Sequence, residues 1–442
     1  MLSATRAPFE ALRHREFARL ETTGSAYLDY AGAALYPASL VREDAARLER
    51  RVLGNPHSES APSLASTDAI DSARALTLRL LRADPAEYDV VLTANASGAV
   101  RILAEAFPFR ADSRLVLTAD NHNSVNGVRV SARRRGARVE YVPLDSTLRA
   151  QKIHPFLTPA TAPSLLAFPA QSNFSGVRHP LEWVRDAQQR GYRVLVDAAA
   201  YLPSSALSLE DVPADFVALS YYKLFGYPTG VGALVARRDG LAMLRRRYFG
   251  GGTVQFVSVQ NRLARLKAGA EAFEDGTANF LAMPAVSDGL RWFDSLDIRC
   301  VSAHVAALTE TLLYRLRALG DRICVYGPQG AEGRGGIVAF NVVRDGRVLP
   351  YELVESTARE LGVAIRGGCF CNPGAAEHAF GIRAQAARDC LQDEFSVARL
   401  RQCLGDGAVG AIRASVGVAT NDDDLDRLLE CIERVLDAPQ PV

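Results

Sequence analysis

The stretch DFVALSYYK, residues 215–223, contains an unbroken apolar run, FVAL, which is followed by a serine, two tyrosines and a lysine. Apolar residues in succession, without alternation, are typical of a strand buried on both faces of a parallel sheet. The run RVLVDAA, residues 193–199, has the same character and delivers Asp197 near its end. Ligands of open α/β sheets bind at the carboxyl ends of the strands. We therefore expect Asp197 and Lys223 to lie at one ligand-binding edge.

Similar runs recur on both sides of this stretch and alternate with helical segments. The further predicted strands cover residues 89–93, 114–118, 138–144, 164–170 and 230–236. The alternation predicts an α/β fold with a mainly parallel, doubly wound sheet, which we assign to residues 26–285. Helices and strands then alternate less regularly, and we assign residues 286–442 to a smaller C-terminal α+β domain. Residues 1–25 form an N-terminal segment that can pack with either domain.

The composition excludes several classes of protein. The 442 residues carry 51 basic and 50 acidic side chains, so the strong basic excess of a nucleic-acid binder is missing. The sequence has no apolar run of the ~18 residues that span a bilayer, and its charged N-terminus has no signal core. Seven cysteines without framework spacing argue against a disulfide scaffold, and too few further ligands lie near them for a metal site. These features predict a cytoplasmic protein without metal, membrane or nucleic-acid partners.

Lysine is rare in this chain. Only Lys152, Lys223 and Lys267 occur, whereas the other 48 basic residues are arginine, which stays protonated and forms no Schiff base. Lys152 lies in a polar stretch and Lys267 in an arginine-rich run, as solvated side chains do. Chemistry that needs an uncharged amine therefore points to Lys223.

Other predicted strand ends carry polar residues as well. Ser97 and Gly98 open a helix after the first strand, which indicates a phosphate seat or, equally, a plain helix cap. His122 follows the next strand, where a lone histidine is often structural, and Asp197 could cap a helix or pair with a bound cation. Together with Lys223, the ordered set meets the needs of pyridoxal 5'-phosphate: a Schiff-base lysine, a carboxylate for the pyridine nitrogen and a phosphate seat.

Longer motifs carry a family resemblance. They are PAQSNFSGVR at 169–178, YKLFGYPTG at 222–230, YFGGGT at 248–253, FEDGT at 273–277, GCFCNPG at 368–374 and IRAS at 412–415. With them the chain resembles the class V aminotransferase superfamily of fold type I pyridoxal-phosphate enzymes. It resembles most closely the cysteine desulfurase-like N-terminal domain of molybdenum-cofactor sulfurases. The resemblance extends from about residue 27 to the final helix.

The resemblance implies roles for residues around the cofactor. Lys223 would be the Schiff-base lysine, Asp197 the partner of the pyridine nitrogen, and His122 the residue stacked on the ring. Ser97, Gly98 and Ser220 would hold the phosphate, and Asn173 would lie near the cofactor and the substrate. Gly276 and Thr277 would complete the phosphate site of the neighbouring chain in a homodimer.

The resemblance also implies a reaction. Arg413 would bind the carboxylate of the substrate, near Asn173, and Cys371 would accept sulfur as a persulfide. L-Cysteine would be converted to L-alanine, and the sulfur would pass to an acceptor that the sequence does not name. Arg366 is a candidate for activating the Cys371 thiol and for contacting the substrate.

The chain departs from the family pattern at four points. Arg366-Gly367-Gly368 stands where these sulfurases usually have Arg-Thr-Gly, Ala375-Ala376 stands in place of a third cysteine, and Ala200 replaces a cofactor-binding Gln of ordinary cysteine desulfurases. The sequence stops at Val442, which leads us to expect no C-terminal domain that binds molybdenum cofactor.

Two other interpretations stay open. The first is a pyridoxal-phosphate enzyme with different chemistry: a C–S lyase, a racemase-like enzyme or an aminotransferase acting on a specialised amino acid. The second is a non-catalytic scaffold. A scaffold needs no active-site set, so the joint presence of Lys223, Asp197, His122 and Arg413 argues against it.

Overall fold

A seven-stranded sheet forms the centre of the larger part of the molecule. The computed structural model describes residues 2–382, 401 and 408–438, with side chains from residue 7 onward. The strands are β1 (Tyr88–Thr93), β2 (Arg114–Thr118), β3 (Arg138–Val142), β4 (Ser164–Pro169), β5 (Tyr192–Asp197), β6 (Phe216–Ser220) and β7 (Gly232–Arg237). Their order across the sheet is β1-β7-β6-β5-β4-β2-β3. Only β7 runs antiparallel to its neighbours; the other pairs in this sheet are parallel.

The sheet is buried on both faces, as its continuous apolar runs predict. Every residue of β4 and β6 is buried. Successive residues of β5 enter different clusters: Val194 and Val196 pack on one side and Leu195 on the other. Helices cover both faces, at Ala38–Arg50, Ala61–Leu80, Ala96–Ala106, Asn123–Asn126, Val128–Arg134, Trp183–Gln188, Tyr222–Phe225, Arg238–Met243 and Met283–Asp294.

A second, antiparallel sheet lies in the C-terminal part. It contains β8 (Ile323–Tyr326), β9 (Ile337–Arg344), β10 (Arg366–Gly368) and β11 (Ala411–Ser415), in the order β8-β9-β11-β10, and the short strand Arg347–Val348 pairs with β9. Its helices are Ile298–Ala318, Tyr351–Glu360, Pro373–Ala379 and Asp422–Asp437. Among the described residues, no helix combines the length and the apolar character that membrane crossing requires.

The N-terminal segment packs with the C-terminal part. It forms the helices Leu2–Glu16 and Arg19–Thr22, and its side chains Phe9, Leu12 and Phe17 join the core cluster of the second sheet. The strand Ala26–Tyr27 then pairs in parallel with Val363–Ala364. The predicted boundary after residue 285 falls inside the helix Met283–Asp294, and the division into domains remains a prediction.

One further hairpin extends from the large part. Its strands Val254–Ser258 and Leu263–Leu266 pair antiparallel with each other and form a separate two-stranded sheet among the residues that the structure describes. Several of its apolar side chains are exposed, among them Phe256, Val257 and Leu263.

Candidate active site

A cleft opens where β1, β2, β4, β5 and β6 end. The connections after these strands supply its walls, as expected for the carboxyl edge of a parallel sheet. Its lining includes most of the residues predicted for the cofactor: Ser97, His122, Asn173, Asp197, Ser220 and Lys223. The structure thus brings these six predicted side chains together, whereas their individual roles remain predictions.

The helix after β1 has a polar start that faces this cleft. Asn95 caps it: the Asn95 Oδ1 accepts a hydrogen bond from the backbone N–H of Gly98 at 3.0 Å. Ser220, the last residue of β6, accepts from the backbone N–H of Ala96 at 2.8 Å. Because Asn95 provides the cap, the Ser97 hydroxyl is left to pair with that of Ser124. A helix start with two nearby hydroxyls suits a phosphate group.

Lys223 follows β6 directly, on the single helical turn Tyr222–Phe225. Burial lowers the pKa of its amine; Asp197 acts in the opposite direction, while Arg413 lowers the pKa further. A lowered pKa favours the uncharged amine, which is the form that acts as nucleophile or base. Of the other lysines, Lys152 is exposed and Lys267 pairs with Glu271 at 3.0 Å.

Asp197 and His122 complete the cofactor side of the cleft. Asp197 is the last residue of β5, and its Oδ1 accepts from the backbone N–H of Ala199 at 3.0 Å. The His122 Nδ1 accepts from the backbone N–H of Ser124 at 3.1 Å, which fixes the ring at the start of a short helix. Burial lowers the pKa of His122, although Asp197 opposes the shift. A neutral imidazole can stack on an aromatic ring without adding charge.

These residues fit pyridoxal phosphate. Its phosphate, its pyridine nitrogen and its aldehyde each need a different partner, and the cleft offers a helix start, a carboxylate and an amine of lowered pKa. At the departure from the family pattern, Ala200 lines the cleft beside Gln171, whose Nε2 donates to the backbone oxygen of Ala200 at 2.8 Å.

A cluster of two arginines and one carboxylate lies beside the cofactor side of the site. The buried Arg413 donates from Nη1 to the backbone oxygen of Asn173 at 3.0 Å and from Nη2 to Asp29 at 2.9 Å. Arg366 donates from Nη2 to the other oxygen of Asp29 at 2.7 Å. No local pattern in the sequence predicts the role of Asp29, because 337 and 384 residues separate it from its partners.

Cys371 is exposed on a loop after β10, and the large part of the molecule anchors that loop. The Cys371 backbone oxygen accepts from the N–H of Asn123 at 2.7 Å. The amide of Asn173 donates to the backbone oxygen of Phe370 at 2.7 Å. Asn372 donates to the backbone oxygen of Asp120 at 2.7 Å and to the Asn173 side chain at 2.9 Å.

The backbone of this loop is unusual. Phe370 and Cys371 have φ of 55° and 56°, a left-handed conformation that costs non-glycine residues about 1–3 kcal/mol each. The anchors compensate for this strain, which is typical of functional loops. Cys369 is less exposed and donates its thiol to the Val409 backbone oxygen at 3.3 Å, and burial raises its pKa.

Four predicted positions have surroundings that the sequence did not indicate. Gly276 and Thr277 are exposed and do not line this cleft of their own chain. Arg366, proposed to act on Cys371, has its short contacts with Asp29 instead. Asn173 lines the cleft, but its amide holds the cysteine loop. The residues described include no group of three or more side chains arranged to hold a metal ion.

Comparison with known proteins decides the family. The family model described as Aminotransferase class-V matches residues 26–428. The chain belongs to the class V aminotransferase family. It is 32% identical to the molybdenum cofactor sulfurase of Arabidopsis thaliana, over 96% of this chain and 57% of that protein. It is also 32% identical to the human protein of that name, over 95% of this chain and 50% of the relative. The family resemblance is thereby confirmed, and the chain spans about half the length of these relatives.

Solved structures confirm the fold. A cysteine desulfurase from Thermococcus onnurineus NA1 has a TM-score of 0.80 at 22% identity, covering 97% of this chain and 98% of its own. The cysteine desulfurase CsdA from Escherichia coli has a TM-score of 0.76 at 22% identity, with the same coverage of both chains. The predicted fold type I architecture is correct.

Proposed function

We propose that the protein is a pyridoxal-phosphate-dependent cysteine desulfurase that converts L-cysteine to L-alanine and collects the sulfur on Cys371. One observation carries the proposal. Asn173 lines the cleft that holds Lys223, and it also hydrogen-bonds the backbone next to Cys371. A side chain of the cofactor cleft thus holds the loop that carries the exposed thiol. A plain aminotransferase or racemase has no use for such a thiol.

The residues divide the reaction among them. Pyridoxal phosphate, when bound, supplies an electron sink for negative charge at the substrate's α-carbon. The amine of Lys223, whose pKa burial lowers, is suited to take the α-proton. Arg413 holds the substrate carboxylate.

Cys371 then completes the transfer of sulfur. Its thiolate attacks the substrate sulfur, and the carbon–sulfur bond breaks with its electron pair left on carbon, which is protonated to give alanine. The sulfur remains as a persulfide on Cys371. Because Cys371 is exposed, a second molecule can reach it to take the sulfur. The names of the curated relatives make molybdenum cofactor one candidate acceptor.

The products formed from L-cysteine test the proposal. The purified holoenzyme is incubated with L-cysteine, and alanine, pyruvate, free sulfide and enzyme-bound sulfur are all assayed. Alanine in equal amount to bound sulfur is the expected result. Pyruvate with free sulfide would show a C–S lyase instead. A colourless protein that takes up no pyridoxal phosphate would favour the scaffold.

We further propose that the protein works as a homodimer. Gly276 and Thr277 are exposed, and a Cβ at Gly276 would meet no atom within 4 Å, so a neighbouring chain has room to approach. Exposed apolar side chains lie before this pair in the sequence, including Tyr248, Phe249 and Phe256. Large exposed apolar patches mark sites of protein association.

Mixed dimers test the exchange of Thr277. Chains with Lys223→Ala are combined with chains with Thr277→Ala after partial unfolding. If Thr277 serves the neighbouring site, a mixed dimer contains one intact site, and activity rises above that of either parent. An unchanged sum of the two parental activities would rule the exchange out.

We also propose a cytoplasmic location. The five cysteines that the structure describes are all free thiols. Reducing compartments preserve free thiols, and a persulfide-forming cysteine needs that condition. Fractionation of cells that express the full-length protein checks this assignment.

A further inference from the structure

Asp29 lies between the two arginines of the substrate side and touches both. It follows the strand Ala26–Tyr27, and its backbone forms a bridge with Ser415 at the end of β11. Arg413 lies on β11 and Arg366 on β10, and the register of these strands places the two arginines opposite each other. Three distant segments therefore bring one carboxylate between two guanidinium groups.

The two arginines differ in their surroundings. The Arg413 side chain is 3% exposed, whereas that of Arg366 is 51% exposed. Burial lowers the pKa of Arg413, which Asp29 partly offsets. Arg366 makes the more extensive contact, with Nε and Nη2 both donating to Asp29. The Asp29 carboxylate therefore neutralises chiefly Arg366, the more exposed of the two arginines.

Arg413 retains donors for a ligand. A guanidinium carries five N–H groups, and the contacts with Asn173 and Asp29 use two of them. Its Nε is buried and makes no hydrogen bond within the described structure. With Arg366 neutralised, the cluster of three side chains presents a net charge of one positive unit to a bound substrate.

We propose that Asp29 is a specificity-determining residue: by neutralising Arg366 while it orients Arg413, it restricts the site to amino acids with a single acid group. This inference deepens the proposed function, on which it rests for the assignment of Arg413 to the substrate carboxylate. A substrate with a second acid group would meet the Asp29 carboxylate, and Arg366, already paired with Asp29, would not be free to balance it. L-Cysteine fits the rule, whereas its oxidised analogue with a sulfinate side chain does not.

Binding of two non-sulfur amino acids tests the inference apart from the reaction. L-Alanine and L-aspartate differ by one carboxylate, and their dissociation constants are measured from the change in the absorbance of bound pyridoxal phosphate. The wild-type holoenzyme should bind L-aspartate at least about tenfold more weakly than L-alanine. In Asp29→Asn, Arg366 becomes free to pair with the second carboxylate, and this preference should fall by about tenfold or more.

Two further variants separate charge from structure. Arg366→Gln removes one positive charge, so the charges of Asp29 and Arg413 cancel and the cluster becomes neutral. The ratio of the dissociation constants of L-aspartate and L-alanine should therefore increase. Combining Asp29→Asn with Arg366→Gln returns the net charge to one positive unit, and discrimination should return toward the wild-type ratio. A merely structural role for Asp29 predicts no such rescue.

The outcomes are decisive in both directions. A ratio of dissociation constants that is the same in wild type, Asp29→Asn and Arg366→Gln, with pyridoxal phosphate retained, would overturn the inference. Equal binding of the two amino acids by the wild type would also overturn it. The assay needs no sulfur transfer, so failure of the desulfurase proposal shows separately, as absence of alanine from L-cysteine.

Discussion

The two sides of the active site are built in different ways. On the cofactor side, Ser220 and Asp197 are the last residues of adjacent parallel strands, and Lys223 follows one of them within three residues. On the sulfur side, Cys371 lies on a loop with left-handed residues, anchored by Asn123 and by Asn173. The hydrogen bonds between paired strands position the first side. The second depends on a few long-range hydrogen bonds, which suits a thiol that must pass sulfur onward.

This difference also explains how much the sequence could predict. Continuous apolar runs mark buried strands, so the large sheet and the residues at its carboxyl edge follow from local pattern. Local pattern alone points to Lys223 and Asp197. The family resemblance then added Cys371 and Arg413.

The contacts between distant segments could not be predicted. Asp29 meets Arg413 across 384 residues, and Asn173 meets Phe370 across 197 residues. Local periodicity in the sequence does not predict contacts between residues so far apart. The motif GCFCNPG indicated Cys371 as the sulfur acceptor. It did not predict that the Asn372 side chain hydrogen-bonds the backbone of Asp120 and so anchors the loop. For the same reason the sequence could not show that Arg366 pairs with Asp29.

The largest expected effect lies on the cofactor side. Lys223→Ala should remove the covalent link between cofactor and enzyme and reduce alanine formation by about 10³-fold or more. Among the three lysines, Lys152 is exposed and Lys267 pairs with Glu271, so neither can substitute. Borohydride reduction followed by peptide mass spectrometry measures the link. Lys152→Ala is the matched control and should behave as wild type.

The next largest effect is expected for Cys371→Ser, which should change the sulfur side of the active site and leave the cofactor side intact. Cys371→Ser should abolish enzyme-bound sulfur and leave the visible absorbance of the cofactor unchanged, because the cysteine loop contributes no residue to the cofactor side described above. Cys369→Ser, on the same loop, serves as the control and should retain bound sulfur. Undiminished turnover of L-cysteine by Cys371→Ser would favour a C–S lyase.

A smaller effect should follow when the loop anchor is weakened. Asn372 donates to Asp120 and to Asn173, and its Oδ1 caps the helix Pro373–Ala379. Asn372→Ala should lower the free energy of unfolding by about 1–3 kcal/mol and slow persulfide formation by about tenfold. Thermal unfolding and a single-turnover sulfur assay measure the two effects.

Asn372→Asp refines this test. Aspartate keeps the oxygen that caps the helix but loses the amide donors to Asp120 and Asn173. It should therefore restore part of the stability without restoring the rate. A full recovery of both would mean that the cap alone matters, and that the loop needs no anchor.

The smallest effect concerns pH. Burial lowers the pKa of His122 from 6.5, so the unfolded chain binds this proton more readily than the native protein does. The contribution of His122 to stability is therefore fully present above about pH 6.5. It is lost as the pH falls through the lowered pKa that His122 has in the folded protein. Wild type should lose more stability than His122→Phe between about pH 7 and pH 5. Equal pH slopes in thermal unfolding would contradict a lowered pKa of His122 in the native protein.

The mass of the peptide that contains Cys371, after one turnover, tests the central claim most directly. The holoenzyme is mixed with one equivalent of L-cysteine in the absence of reductant, quenched, digested and compared with an untreated sample. We predict that this peptide gains the mass of one sulfur atom, in equal amount to the alanine formed. Alanine or pyruvate formed without added sulfur on Cys371 would contradict the account.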